Sequence, residues 1–104
     1  MYISYMNNFE SHIKGDKPVV VDFFAEWCGP CKLMAPVLHE VKEKTGDRAT
    51  VLKMDIDKNP GYTRMYNIQS VPTLVIFKNG SIIWRKSGVM AAHEILQQLN
   101  AHIS

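Results

Sequence analysis

The segment Pro18-Val-Val-Val-Asp-Phe-Phe-Ala25 is an almost unbroken run of apolar and β-favouring residues, with Asp22 the one exception. A strand that is apolar on both faces has to be covered on both, so it belongs at the centre of a sheet. The next forty residues narrow the choice. From Lys32 to Lys44 the residues Met34, Val37, Leu38 and Val41 recur at helical spacing, with Gly46 as a stop signal and Pro36 expected to kink the helix. Thr50-Val-Leu-Lys-Met-Asp55 then reads as another strand. Strand, long helix, strand in that order defaults to a right-handed parallel crossover.

Asn59-Pro60-Gly61 is turn chemistry, and Pro60 is placed to open a short helix carrying Tyr62, Met65 and Tyr66. The period then changes. Thr73 to Lys78, Asn79-Gly80, and Ser81 to Lys86 form a hairpin pattern, because Asn-Gly accepts the positive φ values of a tight two-residue turn. Ala92, Ile95, Leu96 and Leu99 fall on one stripe of a C-terminal helix. The order βαβ, short helix, ββα predicts an α/β fold with a mixed sheet covered by helices. At 104 residues and 46% hydrophobic, the chain is expected to be one globular domain spanning 1–104, with no repeat, linker or low-complexity segment.

Charge excludes several classes of partner. The 12 Lys and Arg against 10 Asp and Glu give a net +2, too small an excess to point to nucleic acid or a membrane surface, and Arg85-Lys86 and Lys42/Lys44 read as solvated faces. No apolar run approaches the ~18 residues of a membrane-spanning helix, and Met1 to Phe9 lacks the pattern of an export leader. A cytoplasmic location is the expectation.

The two cysteines, Cys28 and Cys31, stand as Cys-Gly-Pro-Cys. A disulfide between them closes a loop of about four residues, for which chain entropy gives only ~2 kcal/mol. Such a bridge is poorly placed to stabilise a fold and better placed for chemistry. Cys28 follows the central strand, and Cys31 falls where the long helix is expected to begin. Sites form at the C-terminal ends of strands in covered α/β sheets, and the unpaired N–H groups of a helix start favour a thiolate. Cys28 is therefore expected to be the nucleophile. Cys31, one turn further in, is expected to be more buried and to attack the mixed disulfide formed first, with Pro30 restricting the loop between them.

Val21-Asp-Phe-Phe-Ala-Glu-Trp-Cys-Gly-Pro-Cys-Lys32 resembles the active-site segment of the thioredoxin family. The resemblance continues through Lys53, Asn59-Pro60, Val71-Pro72-Thr73, Phe77-Lys-Asn-Gly80 and Gly88, and so covers nearly all of the chain after residue 17. It implies a thioredoxin fold, a central mixed β-sheet of four to five strands flanked by helices on both faces. It also implies a protein disulfide reductase that cycles between dithiol and disulfide, with Cys28 attacking and Cys31 resolving. Asp22 resembles the family's buried carboxylate behind the resolving cysteine, and Lys53 the lysine beside it. Independently, a carboxylate in an apolar strand should have a raised pKa and could exchange a proton with Cys31 through water. The alternative is that Asp22 merely pairs with Lys53.

The resemblance further implies a cis bond at Val71-Pro72, against the usual trans preference, and a docking surface made of Trp27, Gly29, Pro30, Val71, Pro72, Gly88 and Val89. Partners would be client proteins with disulfides and a thioredoxin reductase, an NADPH-dependent flavoenzyme, as electron donor. No bound cofactor is implied beyond the redox-active disulfide, and the expected state is a monomer. There are departures: Phe24 stands where many relatives carry Trp, Ser70 where Gly is common, and Trp84 is an added aromatic. Trp84 is expected to pack on the sheet. The N-terminal segment is short for the family, which leaves a first strand around Tyr2 to Tyr5 open. Asp57 is a candidate partner for the Trp27 indole, or alternatively a cap for the turn at Asn59.

Other classes fit less well. Cys-x-x-Cys can supply half a zinc site, but His93 and His102 lack finger spacing and His12 and His39 lack partners; no metal is expected. Haem attachment needs a His where Lys32 stands. An exported oxidant or isomerase of the same fold remains the main alternative. Gly29 and Pro30 between the cysteines favour the reducing role, because they add no positive charge beside the thiolate. A structural subunit is the third reading.

Overall fold

The computed structural model describes residues 9–103. Its elements in order are α1 (Phe9–Ile13), β1 (Val19–Phe24), a 3-10 turn (Pro30–Leu33), α2 (Met34–Thr45), a second 3-10 turn (Gly46–Arg48), β2 (Thr50–Asp55), α3 (Pro60–Met65), β3 (Thr73–Lys78), β4 (Ser81–Ser87) and α4 (Ala92–Asn100). A strand around Tyr2 to Tyr5 lies outside the described residues.

The four strands make one sheet in the order β2-β1-β3-β4. β1 runs parallel to β2, as a strand joined to its neighbour through a covering helix must, and antiparallel to β3. The β3–β4 turn is tight: Asn79 and Gly80 take φ values of 54° and 81°, the left-handed pair that matches the twist of a hairpin. Lys78 faces Ser81 and Phe77 faces Ile82, but Ile76 faces Trp84, so Ile83 is an extra residue that bulges β4.

All six residues of β1 are buried, which is why its sequence reads as a continuous apolar run. Alternation still sorts them. Val20 joins Met34, Leu38 and Val41 of α2 and Ile95 and Leu99 of α4 in one cluster, with Ile83 and Trp84 packed against it. Val19, Val21 and Phe23 join Phe9 and Ile13 of α1 and the aromatic rings of Tyr62 and Tyr66 in the other. Helices thus cover both faces, and Trp84 packs on the sheet as expected. No helix among the described residues is long and apolar enough to cross a membrane.

One expectation needs correction. The helix expected from Lys32 starts as the 3-10 turn Pro30–Leu33 and becomes α-helical at Met34. Pro36 stands third in α2, within the first turn, where backbone amides have no partner inside the α-helix, so its missing N–H falls outside the helix interior.

Candidate active site around Cys28 and Cys31

β1 ends at Phe24, and a turn closed by the Cys28 amide on the Ala25 carbonyl (3.2 Å) carries the chain to the mouth of the 3-10 turn. Cys28 and Cys31 are joined by a disulfide across that mouth, with their Cα atoms 5.3 Å apart. The Cys31 amide, the first N–H of the turn because Pro30 has none, donates to Cys28 Sγ at 3.1 Å. A fixed N–H aimed at one sulfur favours negative charge on that sulfur, so the backbone distinguishes Cys28 from Cys31. The expected difference in burial is absent from the disulfide form. Each cysteine is 4% exposed, because the bridge seats both sulfurs in one cluster with Phe24 and Ala25, against Ile56 and Val71.

The facing wall is the segment before β3. The Val71-Pro72 bond is cis, and the Val71 carbonyl oxygen lies 3.7 Å from Cys28 Sγ. That sulfur has no proton in the disulfide, so this is a contact; in the dithiol form the Cys28 thiol can donate across it. The Pro72 carbonyl accepts the Gly88 amide at 2.8 Å, and Gly88 makes that approach with φ at 99°, a conformation that suits glycine.

Of the residues expected to meet a partner, Trp27 is 70% exposed and Val89 47%, and Gly29, Pro30 and Gly88 are also exposed. Val71 is half-buried. Pro72 is itself buried, so Val71 is the more accessible residue of this wall.

The Trp27 indole donates to Asp57 Oδ2 at 2.8 Å, the first of the two roles open to Asp57. The turn at Asn59 is built by a residue that the sequence reading passed over. Asp55, buried at the end of β2, accepts the amides of Asp57 (2.8 Å) and Lys58 (3.3 Å) on Oδ1, and its carbonyl accepts the Asn59 side-chain amide at 2.9 Å. An Asp closing a strand just before Asn-Pro-Gly is the signal that could have found it.

Asp22 of β1 pairs in register with Lys53 of β2. Asp22 is fully buried, and neither carboxylate oxygen has a hydrogen-bond partner. Burial therefore pushes its pKa up from 3.8 to about 6, opposed by the positive charge of Lys53. The two interact through charge alone, without the hydrogen bond a simple ion pair would have. Lys53 Nζ sits 4.6 Å from the centre of the Phe24 ring, a cation–π contact. Phe24, Ala25, Glu26, Cys31, Lys32 and Lys53 line a cavity of about 190 Å³, roomy enough for water beside Cys31. Among the described residues, no group of three or more His, Cys, Asp or Glu side chains could hold a metal ion.

The sequence model for thioredoxin matches residues 2–101. The chain belongs to the thioredoxin family. It is 47% identical to the thioredoxin of Alicyclobacillus acidocaldarius subsp. acidocaldarius over 92 residues, covering 88% of each chain. With the thioredoxin of Rickettsia typhi the identity is 41% over 101 residues, 97% of this chain and 93% of that one. Among solved structures, the thioredoxin of Malassezia sympodialis superposes with a TM-score of 0.87 at 34% identity, covering 99% of this chain and 90% of that one. A mutant thioredoxin from Halobacterium salinarum superposes at 0.88 with 28% identity, over 100% of this chain and 90% of that one. Thioredoxins are protein thiol-disulfide oxidoreductases, and this thioredoxin-family chain, with its Cys28–Cys31 pair, is one of them.

Proposed function

We propose that the protein works as a reductant, passing two electrons from the Cys28/Cys31 dithiol to disulfides in client proteins. The observation that carries this reading is the Cys31 amide on Cys28 Sγ, 3.1 Å apart. It supports Cys28 as the thiolate that attacks a client sulfur, forming a mixed disulfide and releasing one client thiolate. Cys31 then attacks Cys28 Sγ, which closes the intramolecular disulfide and releases the second client thiolate. Asp22 accepts the Cys31 proton through water, a role supported by its pKa of about 6 and by its register partner Lys53, which lines the cavity beside Cys31.

Trp27, Gly29, Pro30, Val71, Pro72, Gly88 and Val89 form the surface on which the client lies, its backbone pairing with that of Val71. Electrons return from a thioredoxin reductase that carries the flavin and binds NADPH. The protein acts as a cytoplasmic monomer, a single domain over 1–104, with no bound cofactor beyond the Cys28–Cys31 disulfide. The similarity to thioredoxins and the Gly-Pro pair between the cysteines favour this over an exported oxidant or isomerase.

The reduction potential of the Cys28–Cys31 pair, measured by equilibration with a defined thiol–disulfide buffer, tests the direction of flow. A value at or below about −220 to −260 mV, the extracted cytosolic glutathione poise, is expected. A value near about −120 to −180 mV, the range of oxidants and isomerases, would overturn it.

A further inference from the structure

The wall that faces Cys28 hangs on the end of β4. α3 closes with the Asn67 amide on the Arg64 carbonyl (3.0 Å) and the Ile68 amide on the Thr63 carbonyl (2.9 Å), with Asn67 left-handed at φ 54°. That closure satisfies two of the helix's terminal carbonyls, and the carbonyls of Tyr66 and Asn67 lie beyond it. Arg85 takes both. Its Nη1 donates to the Tyr66 oxygen at 2.6 Å and its Nη2 to the Asn67 oxygen at 3.2 Å, the forked contact that a planar guanidinium makes and an ammonium cannot.

Two further contacts fix the other end of the segment. The Thr73 hydroxyl donates to the Ser70 carbonyl at 2.7 Å, so its one proton is committed, and the Ser87 hydroxyl, 2.8 Å away, is the donor between the pair. The Gly88 amide holds the Pro72 carbonyl. Val71, with its carbonyl 3.7 Å from Cys28 Sγ, lies between these anchors. The bulge at Ile83 makes the arrangement possible. It sets Arg85 opposite Val75, on the α3 face, whereas an unbulged register would put Trp84 there.

We propose that Arg85 and Ser87 are positioning residues for disulfide exchange: from β4 they hold the Val71-Pro72 segment in the one place where a client backbone can reach Val71 beside Cys28. Neither touches a sulfur. The inference rests on the reading of Val71 as part of the docking surface. A segment freed from its anchors has to be ordered when the client docks, so client binding weakens while the chemistry at the sulfurs is untouched.

The test is single-turnover oxidation of the reduced protein, by insulin over a range of concentrations and by the small disulfide 5,5′-dithiobis(2-nitrobenzoate). Wild type is compared with Arg85→Gln, Arg85→Lys, Ser87→Ala and Val71→Asp. For Arg85→Gln the half-saturating insulin concentration is expected to rise about fivefold, as loss of ~1 kcal/mol of pre-ordering predicts, at an unchanged limiting rate. Its rate with the small disulfide should not change. Arg85→Lys should fall between Gln and wild type, because a lysine reaches one carbonyl at a time, and Ser87→Ala should shift in the same direction. If Val71→Asp raises half-saturation while the Arg85 and Ser87 variants do not, the positioning role is overturned and the docking reading stands. If Val71→Asp changes nothing, the docking reading fails and takes the inference with it. Equal slowing with insulin and with the small disulfide would mark Arg85 as merely structural and would also overturn the proposal.

Discussion

Along β1, one strand serves two purposes on its two faces. Val19, Val21 and Phe23 enter a core against α1 and α3, and the one polar side chain opposite them on β3, Thr73, is buried with its hydroxyl hydrogen-bonded. Val20, Asp22 and Phe24 alternate with them, and on that side a carboxylate is buried with neither oxygen hydrogen-bonded. The backbone is common to both, and every side chain is out of water. Burial therefore does not separate core from site; what separates them is whether the buried group is stable in its ordinary protonation state. On one face the sequence maximises burial, and on the other it keeps a buried carboxylate that costs stability near neutral pH.

The largest effect should come from the apolar face. Phe23→Ala is expected to destabilise the disulfide form by about 3–5 kcal/mol, the usual range for deleting a buried ring, measured by denaturant unfolding. The fraction that remains folded should react with a small disulfide, once reduced, at the wild-type rate. A folded variant with altered reactivity would break the division between the faces.

Asp22→Asn probes the other side, and its effect has the opposite sign. Folding raises the Asp22 pKa from 3.8 to about 6, so between those values the native state binds more protons than the unfolded chain. The contribution of Asp22 to stability is fully present below about pH 3.8 and is lost as pH rises through about 6. The displacement corresponds to about 3 kcal/mol. Asp22→Asn should therefore be more stable than wild type at pH 7–8 by up to about 3 kcal/mol and should lack the decline through that acid window. Near neutral pH it should also resolve the mixed disulfide with a client more slowly. An unchanged rate would reject the proton-transfer role while leaving the stability effect intact.

The smallest effect sharpens the same comparison. Lys53 supplies the charge that holds the Asp22 pKa down against burial. In Lys53→Met the pH at which the disulfide form loses stability should move above about 6, read from unfolding at a series of pH values. A shift in the other direction would mean that Lys53 does not act on Asp22 through its charge.

Much of this was legible in the residues alone. The unbroken run of β1, the helical stripe of α2 and the Asn79-Gly80 turn each carry a local signature, and together they dictate a mixed sheet with covered faces. Asp22 was visible as the one charge in an apolar strand, and the thiol pair as two cysteines too close together to serve as a staple. Three features were not legible. The 3-10 start at Pro30 shares its spacing with an α-helix over so few residues that periodicity cannot tell them apart. Equal burial of the two cysteines follows from their disulfide, whereas helical position speaks only of separate thiols. The bulge in β4 left no mark, because Ile82-Ile83-Trp84 lacks the strict alternation from which a register could be counted, and no glycine flags it.

That bulge also bears on how the protein behaves in a crowded solution. β4 is the outer strand at one edge of the sheet, and an outer strand presents unpaired amides and carbonyls to any chain that can lie flat against it. The extra residue at Ile83 bends this strand in its middle, and Arg85 and Lys86 follow on its exposed length. A thiol-disulfide oxidoreductase of this fold thus has an outer edge ill suited to strand pairing, which leaves contact with other chains to the rest of its surface.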